Sequence, residues 1–235
     1  MRKDSFKALV GSHNYNLNTP ESDKDYKVFF YPSFDDLYSG EKYSKSKTSD
    51  TEDVEYHDIR KLPDMLWKSN VNFVEVLFST EVTKYDNYLY SELHSKREEI
   101  AAMNLPYLYD ACMGMYHKKH KEAERSLAKN DIKKARKDVM SAYRILDFLN
   151  RYANNQFISF ENAINYKEDD PVKKFLLEIR NGLTDNMFNK LELKLKLTEE
   201  LKPIYKSSAK NLEIKEWLYK TVKWEVEEKI FMELQ

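Results

Sequence analysis

Apolar residues in the first hundred positions form short runs separated by polar turns, a pattern that is typical of strands. Two such runs, FKALV at residues 6–10 and DKDYKVFFY at residues 23–31, are rich in aromatic and β-branched residues and predict strands. VEYHDI at residues 54–59 predicts a third strand. The intervening stretch at residues 39–53 is polar and lacks a core pattern, so it predicts a surface loop or a hairpin tip.

Beyond residue 85 the apolar residues recur at helical spacing almost throughout. The helices predicted from this spacing include residues 105–116, 139–149, 171–181, about 185–201 and about 211–233. We therefore predict an α+β protein, in which a small mixed β-sheet in residues 1–100 packs against a C-terminal helical bundle in residues 101–235.

Composition indicates an ordinary globular chain. Its 235 residues are 41% hydrophobic, which is enough to bury a core without disulfides or structural metals. Cys112 is the single cysteine, and the N-terminal residues lack the pattern of a signal peptide, so we expect a cytoplasmic location. No apolar run approaches the roughly 20 residues that cross a bilayer, so we expect no membrane partner.

Charge is divided unevenly along the chain, although the formal net charge is only −1. Residues 117–137 contain nine Lys or Arg against three acids. A solvated helix face is the simplest interpretation of this window. The alternative is that its positive charge attracts a polynucleotide or the triphosphate of a nucleotide.

Two carboxylates stand at the start of the second predicted strand. Asp23 and Asp25 are two residues apart, so in a strand their side chains point to the same face. Neighbouring carboxylates repel each other unless a cation lies between them, and Mg²⁺ is usually held by one or two carboxylates together with substrate phosphates. The pair therefore predicts a magnesium site, with a solvated strand edge as the alternative in a chain that is 34% charged.

Gly11 and Ser12 follow the first predicted strand directly. Gly11 permits close approach of the backbone, and Ser12 offers a hydroxyl and an N–H group to a phosphate oxygen. A phosphate-binding turn next to paired carboxylates is the arrangement that two-metal phosphoryl or nucleotidyl transfer uses. A third carboxylate is normally needed, and we assign it to Glu55 on the third predicted strand, with Asp53 and Asp58 as alternatives.

Five segments of the sequence resemble the DNA polymerase beta nucleotidyltransferase superfamily, in the version found among predicted nucleotidyltransferases of RNA repair. The segments are GSHNYNLNTPESDKDY from residue 11, YHDIRKL from residue 56, NVNFVEVLFS from residue 70, KKARKDVMSAYRIL from residue 133 and LEIRNGL from residue 177. The resemblance covers roughly residues 5–205. One departure is Asn16, where that family usually has glycine; Asn tolerates a left-handed backbone better than most residues do.

The resemblance implies a nucleotidyltransferase that transfers a nucleoside monophosphate from a nucleoside triphosphate to a hydroxyl group. It implies that Ser12 contacts the triphosphate and that Asp23, Asp25 and the third acid bind two Mg²⁺ ions, for which Mn²⁺ is the substitute. It also places the helix that carries Lys137 and Arg144 over the active site, which makes both residues candidates for nucleotide binding.

The acceptor remains open at this stage. An RNA end is the acceptor that the family suggests, with a small molecule or a protein side chain as the alternatives. A rival hypothesis is a catalytically inactive module of the same fold that binds nucleotide or nucleic acid. The presence of Ser12, Asp23 and Asp25 favours catalysis, because a binding module does not need the metal-binding acids.

Overall fold

The chain divides into two compact units. The computed structural model describes residues 2–49, 51–85, 87–182 and 186–233. The first unit comprises residues 1–103 and 210–235, and the second comprises residues 104–209. Residues 210–235 thus belong to the same unit as the strands. Their helical pattern alone predicts that they belong with the helices that precede them.

The described residues of the first unit form a five-stranded mixed sheet. Its strands are β1 Lys3–Val10, β2 Lys24–Tyr31, β3 Ser44–Thr48, β4 Glu52–Asp58 and β5 Val82–Lys84, in the order β3-β4-β2-β1-β5. β2 and β4 are parallel, and the other neighbours are antiparallel. The three predicted strands correspond to β1, β2 and β4, and the polar stretch before β4 contains β3, the exposed arm of a hairpin.

Helices account for most of the remaining chain. Those of the first unit that precede the second unit are α1 Gly11–Asn14, α2 Phe34–Tyr38, α3 Leu62–Trp67, α4 Val71–Val74, α5 Asn87–Ser95 and α6 Arg97–Ala102. Those of the second unit are α7 Leu105–Ala128, α8 Ile132–Asn154, α9 Phe160–Ile164, α10 Pro171–Asn181, α11 Met187–Glu199 and α12 Lys202–Ser207. The chain then returns to the first unit with α13 Leu212–Glu233. The mixed sheet and the helical C-terminal region confirm the α+β prediction. Residue 185, the predicted start of the helix that became α11, lies outside the described residues.

One face of the sheet is covered by aromatic side chains. Phe29 of β2 stacks on Phe6 of β1, with ring centroids 4.9 Å apart, and also contacts the ring of His57 in β4. Phe73 of α4 lies edge-on to His57, and Tyr90 of α5 packs on Phe6. Aromatic rings therefore cover this face of the sheet near the C-terminal ends of β2 and β4, where Phe29 and His57 lie.

Within the first unit, α13 packs against α3, α5 and α6. Trp224 contacts the ring of Tyr88, with centroids 5.3 Å apart, and the hydroxyl of Tyr219 donates a hydrogen bond to Asp64. These contacts explain why the last helix belongs to the same unit as the sheet.

In the second unit, α7 and α8 pack against each other as a helical hairpin joined by residues 129–131. α8 buries Val139, Ala142, Leu146 and Leu149, the periodic apolar positions from which it was predicted. No helix in the described part of the chain is both long enough and apolar enough to cross a membrane.

Candidate active site

Two aspartates meet across neighbouring strands at one end of the sheet. Asp25 of β2 is the partner of Asp53 in the parallel pairing with β4, and on its other side it is the partner of Val10 in β1. Directly paired residues project to the same face of a sheet, so the two carboxylates lie side by side. Both lie next to the first residue of their strands, beyond the aromatic cover.

Asp53 contains an unusual polar atom. Its Oδ1 is buried, and no hydrogen-bond donor in the described ranges reaches it. A buried carboxylate oxygen without a donor is unfavourable unless another ligand satisfies it. This atom therefore marks a position where a bound cation or substrate proton would be stabilised.

The Gly-Ser turn lies against Asp25, one of these two acids. Gly11 begins α1 directly after β1 and has a φ of +72°, in the left-handed region that favours glycine. A Cβ atom added to Gly11 would lie 2.5 Å from Oδ2 of Asp25, far inside van der Waals contact. The carboxylate of Asp25 therefore packs directly on the turn, and Ser12 is the next residue along it.

Glu75 also contacts this turn. Its carboxylate, which is only 2% exposed, accepts a hydrogen bond from the backbone N–H of Gly11 at 3.1 Å. Glu75 stands inside the apolar run NFVEVLF, and the nearby cation Arg60 pairs with Asp58 instead. The signal that pointed to Glu75 was a carboxylate inside an apolar run, because such a group needs a buried partner.

The loop between Gly11 and β2 is held in place from within. Tyr15 and Leu17 are buried, and Nε2 of His13 lies 3.0 Å from the carbonyl oxygen of Ser22. Asn16 has a φ of +61°, so it adopts the left-handed conformation that glycine and Asn tolerate best. Asp23 is exposed and directly precedes β2.

Glu55, the residue first assigned as the third acid, has other partners. Its carboxylate accepts hydrogen bonds from the ammonium group of Lys27 and from Nε2 of His57. The hydrogen bond with His57 and then the ion pair with Lys27 lower the pKa of Glu55 to about 2, against the opposing effect of burial. Ser44 lies 3.2 Å from Nδ1 of His57 and completes the network. Glu55 is thus two residues further along the same strand face than Asp53 and is already neutralised.

Asp58, the other alternative for the third acid, has a structural role. Its side chain is fully buried and accepts hydrogen bonds from the guanidinium and the backbone N–H of Arg60. It is the partner of Phe30 in β2 and stands an odd number of residues after Asp53. Because side chains alternate along a strand, Asp58 points to the opposite face from Asp25 and Asp53.

Lys137 and Arg144, predicted to bind the nucleotide, both lie on α8 in the second unit. Lys137 is exposed, whereas Arg144 is only 8% exposed. The charge of Arg144 reaches Cys112 inside that unit, where it opposes the rise of the Cys112 pKa to about 12 that burial causes. Their contact with nucleotide stays a prediction.

The carboxylate oxygens at this end of the sheet are suitable ligands for a magnesium ion. Among the described residues, no three Asp, Glu, His or Cys side chains converge closely enough to hold a metal by themselves. Asp25 and Asp53 supply two adjacent carboxylates, one of them with an unsatisfied oxygen. Mg²⁺ characteristically takes one or two carboxylates and completes its shell with substrate phosphates and water. The residues therefore fit an ion that binds together with a phosphate-bearing substrate.

Comparisons with known proteins agree with the class that this fold and site define, a nucleotidyltransferase. The model of the RNA repair pathway DNA polymerase beta family matches residues 5–200. The chain belongs to that family, which confirms the resemblance of the motifs and the assignment as a nucleotidyltransferase. No curated protein matches the chain.

A solved structure also matches. It is the crystal structure of a nucleotidyltransferase-like protein from Exiguobacterium sibiricum 255-15, with 13% identity and a TM-score of 0.33 over 85% of this chain and 69% of that chain. The assignment to the family rests on the sequence match rather than on this likeness.

Proposed function

We propose that the protein is a Mg²⁺-dependent nucleotidyltransferase that uses a nucleoside triphosphate as donor and a hydroxyl group, at an RNA end, as acceptor. The observation that carries this proposal is the pairing of Asp25 with Asp53 beside the Gly11-Ser12 turn. Carboxylates and a phosphate-binding turn then lie at one end of the same sheet, which brings the donor triphosphate to the acids.

The register supports an assignment of the acids. Asp25 and Asp53 form the central pair, and Asp23, two residues before Asp25, is the third. In this assignment Asp53 replaces Glu55, because Glu55 is engaged by Lys27 and His57 whereas one oxygen of Asp53 has no donor within the described ranges. Bound Mg²⁺, or Mn²⁺ in its place, would neutralise charge on the phosphates and favour ionisation of the acceptor hydroxyl.

The protein's own groups position the reaction. Ser12 holds the triphosphate through its hydroxyl, while Asp25 fixes the turn by packing on Gly11. The acceptor oxygen attacks the α-phosphorus, a new P–O bond forms, and the bond to the β-phosphate oxygen breaks as pyrophosphate leaves. In this proposal the acceptor hydroxyl gives up its proton to the carboxylate of Asp53, one oxygen of which has no hydrogen-bond donor in the described chain.

Transfer of label tests the proposal. The protein is incubated with each α-labelled nucleoside triphosphate, Mg²⁺ and a pool of RNAs, beside Asp25→Asn, which keeps the shape of the side chain and removes its charge. We expect labelled RNA from the wild type and at least about 100-fold less from the variant, because metal binding lowers such barriers by several kcal/mol and each 1.36 kcal/mol is about tenfold in rate. Equal labelling by both proteins would contradict the site.

A further inference from the structure

The end of the α7–α8 hairpin carries exposed positive charge. We call four of the exposed basic side chains there the hairpin surface: Lys121, Arg125, Lys129 and Lys134. None of the four forms an ion pair with a carboxylate in the described part of the chain. Their charge is therefore available to an external anion.

Two of the acids in this region are already neutralised by other lysines. Lys119 donates to Glu122 and to Asp138, both at 2.8 Å, and Lys118 lies 4.0 Å from Glu122. Asp138 is also buried, so its charge does not reach solvent. The pair between Lys119 and Asp138 joins α7 to α8 without using the hairpin surface.

The other two acids have local partners. Glu124 lies 3.7 Å from Nδ1 of His120 on the same helix. Asp131 caps α8, and its carboxylate accepts the backbone N–H of Lys134 rather than a hydrogen from the ammonium group of that residue. Acidic side chains therefore do not neutralise the excess of basic residues between residues 117 and 137.

Three of the four residues of the hairpin surface form a row along α7. Lys121, Arg125 and Lys129 are separated by four residues each, so they lie on one face of the helix and its C-cap. At a rise of about 1.5 Å per residue, the row spans roughly 12 Å. Such a row can contact several successive charges of a linear polyanion.

The apolar content of this region decides between classes of partner. None of the large hydrophobic side chains that the described structure exposes falls between Tyr107 and Ile158. Protein interfaces bury apolar and aromatic anchors, and membrane-bound helices insert them, so both partners would need residues that the hairpin surface lacks. A nucleic-acid backbone needs only cations, since its phosphates supply most of the binding free energy.

We propose that the hairpin surface binds the phosphate backbone of RNA without regard to base sequence. RNA is chosen over DNA because the family belongs to an RNA repair pathway. This inference deepens the proposed function, on which it rests, by assigning the polynucleotide part of the acceptor to named residues. Independence of sequence follows because cations that contact phosphates carry no information about the bases.

Binding in the absence of catalysis tests this inference. Anisotropy of short labelled RNAs of two unrelated sequences is measured with the full chain, without Mg²⁺ or nucleotide, over about 50 to 200 mM salt. The test variant is K121E/R125E/K129E/K134E. We expect both RNAs to bind the wild type equally and the variant to bind at least about tenfold more weakly, with a salt slope shallower by up to about 3, because each contact contributes about 0.7.

A charge-matched variant provides the control. K196E/K202E/K220E/K223E reverses four exposed lysines elsewhere and changes the net charge by the same amount. If charge reversal lowers the thermal midpoint and so impairs folding, the milder variant K121Q/R125Q/K129Q/K134Q replaces K121E/R125E/K129E/K134E. Loss of binding confined to the hairpin variants supports the inference. Equal loss in the control, binding of DNA but not RNA, or binding only of vesicles of anionic lipid would overturn it.

The two proposals fail in different ways. Label transfer to a hydroxyl acceptor without RNA binding would overturn the hairpin surface and leave the nucleotidyltransferase site intact. RNA binding as expected, with no transfer by the wild type, would contradict the proposed function alone.

Discussion

The backbone N–H of Gly11 donates a hydrogen bond to the buried carboxylate of Glu75, 64 residues further along the chain. This contact ties the turn of Gly11 and Ser12 to the segment that contains Glu75. A buried carboxylate without such a donor would be strongly unfavourable, so each group stabilises the placement of the other. We therefore infer that Glu75 positions Ser12, the residue next to Gly11 in the turn.

Replacement of Glu75 tests this role. We expect Glu75→Ala to lower the free energy of unfolding by about 1–3 kcal/mol, because it leaves the Gly11 N–H without its acceptor. It should also raise KM for the nucleoside triphosphate. Glu75→Gln retains an acceptor oxygen and should restore most of both quantities. Equal KM values for wild type and Glu75→Ala would show that the contact is structural only.

Gly11 and Gly40 form a matched pair for a second prediction. Their φ angles are +72° and +71°, but an added Cβ meets Asp25 at Gly11 and nothing within 4 Å at Gly40. Gly→Ala at either position should cost about 1–2 kcal/mol of stability from backbone strain. Only Gly11→Ala should also abolish transfer, because it displaces the Asp25 carboxylate. Denaturation curves and transfer rates of the two variants measure the difference, and parallel effects on rate would contradict the packing of Asp25 on the turn.

Asn16 provides a third prediction. Its φ of +61° is strained for most side chains and costs glycine nothing. Asn16→Gly should therefore keep transfer activity, whereas Asn16→Ala should lose about 1 kcal/mol of stability because Ala lacks the tolerance of Asn for this conformation. Thermal or chemical denaturation of both variants measures this. If Ala were more stable than both Asn and Gly, the left-handed turn at residue 16 would be excluded.

The pH dependence of stability should report on Glu55. Its pKa is lowered from an ordinary value of 4.5 to about 2, so the folded state binds its proton less readily than the unfolded state does. The resulting stabilisation is complete above about pH 4.5 and is lost as the pH falls towards 2. The difference in free energy of unfolding between wild type and Glu55→Gln should therefore shrink over that range. The same comparison with the exposed Glu213→Gln is the control, and a difference that does not vary with pH would exclude the network around Glu55.

The acids at the sheet end show what a single sequence reveals and what it hides. Short apolar runs between polar turns predicted β1, β2 and β4, and a spacing of two predicted that Asp23 and Asp25 share one face. Asp53 and Glu55 are also two residues apart, so they share a face of β4 and the strand pattern alone does not separate them. The choice between them depends on the register that pairs Asp25 with Asp53 across the sheet, which no local pattern encodes.

Long-range packing explains the remaining differences. The pattern of α13 predicted a helix but not its partners, and its contacts with α3, α5 and α6 join residues more than a hundred positions apart. Glu75 was visible as a carboxylate in an apolar run, but its acceptor role depends on a backbone N–H in a distant turn. Local propensity identifies elements; the contacts between them require the folded chain.

The direct test of the central claim compares Asp53→Asn with Glu55→Gln. Both substitutions remove one negative charge from the same face of β4 with little change in shape, two residues apart. Transfer of label from an α-labelled nucleoside triphosphate should fall by at least about 100-fold in Asp53→Asn, by the loss of a metal-binding carboxylate. It should stay within about tenfold of wild type in Glu55→Gln, as expected for a residue beside the metal ligands. The opposite order, with Glu55→Gln inactive and Asp53→Asn active, would contradict the site described for this protein.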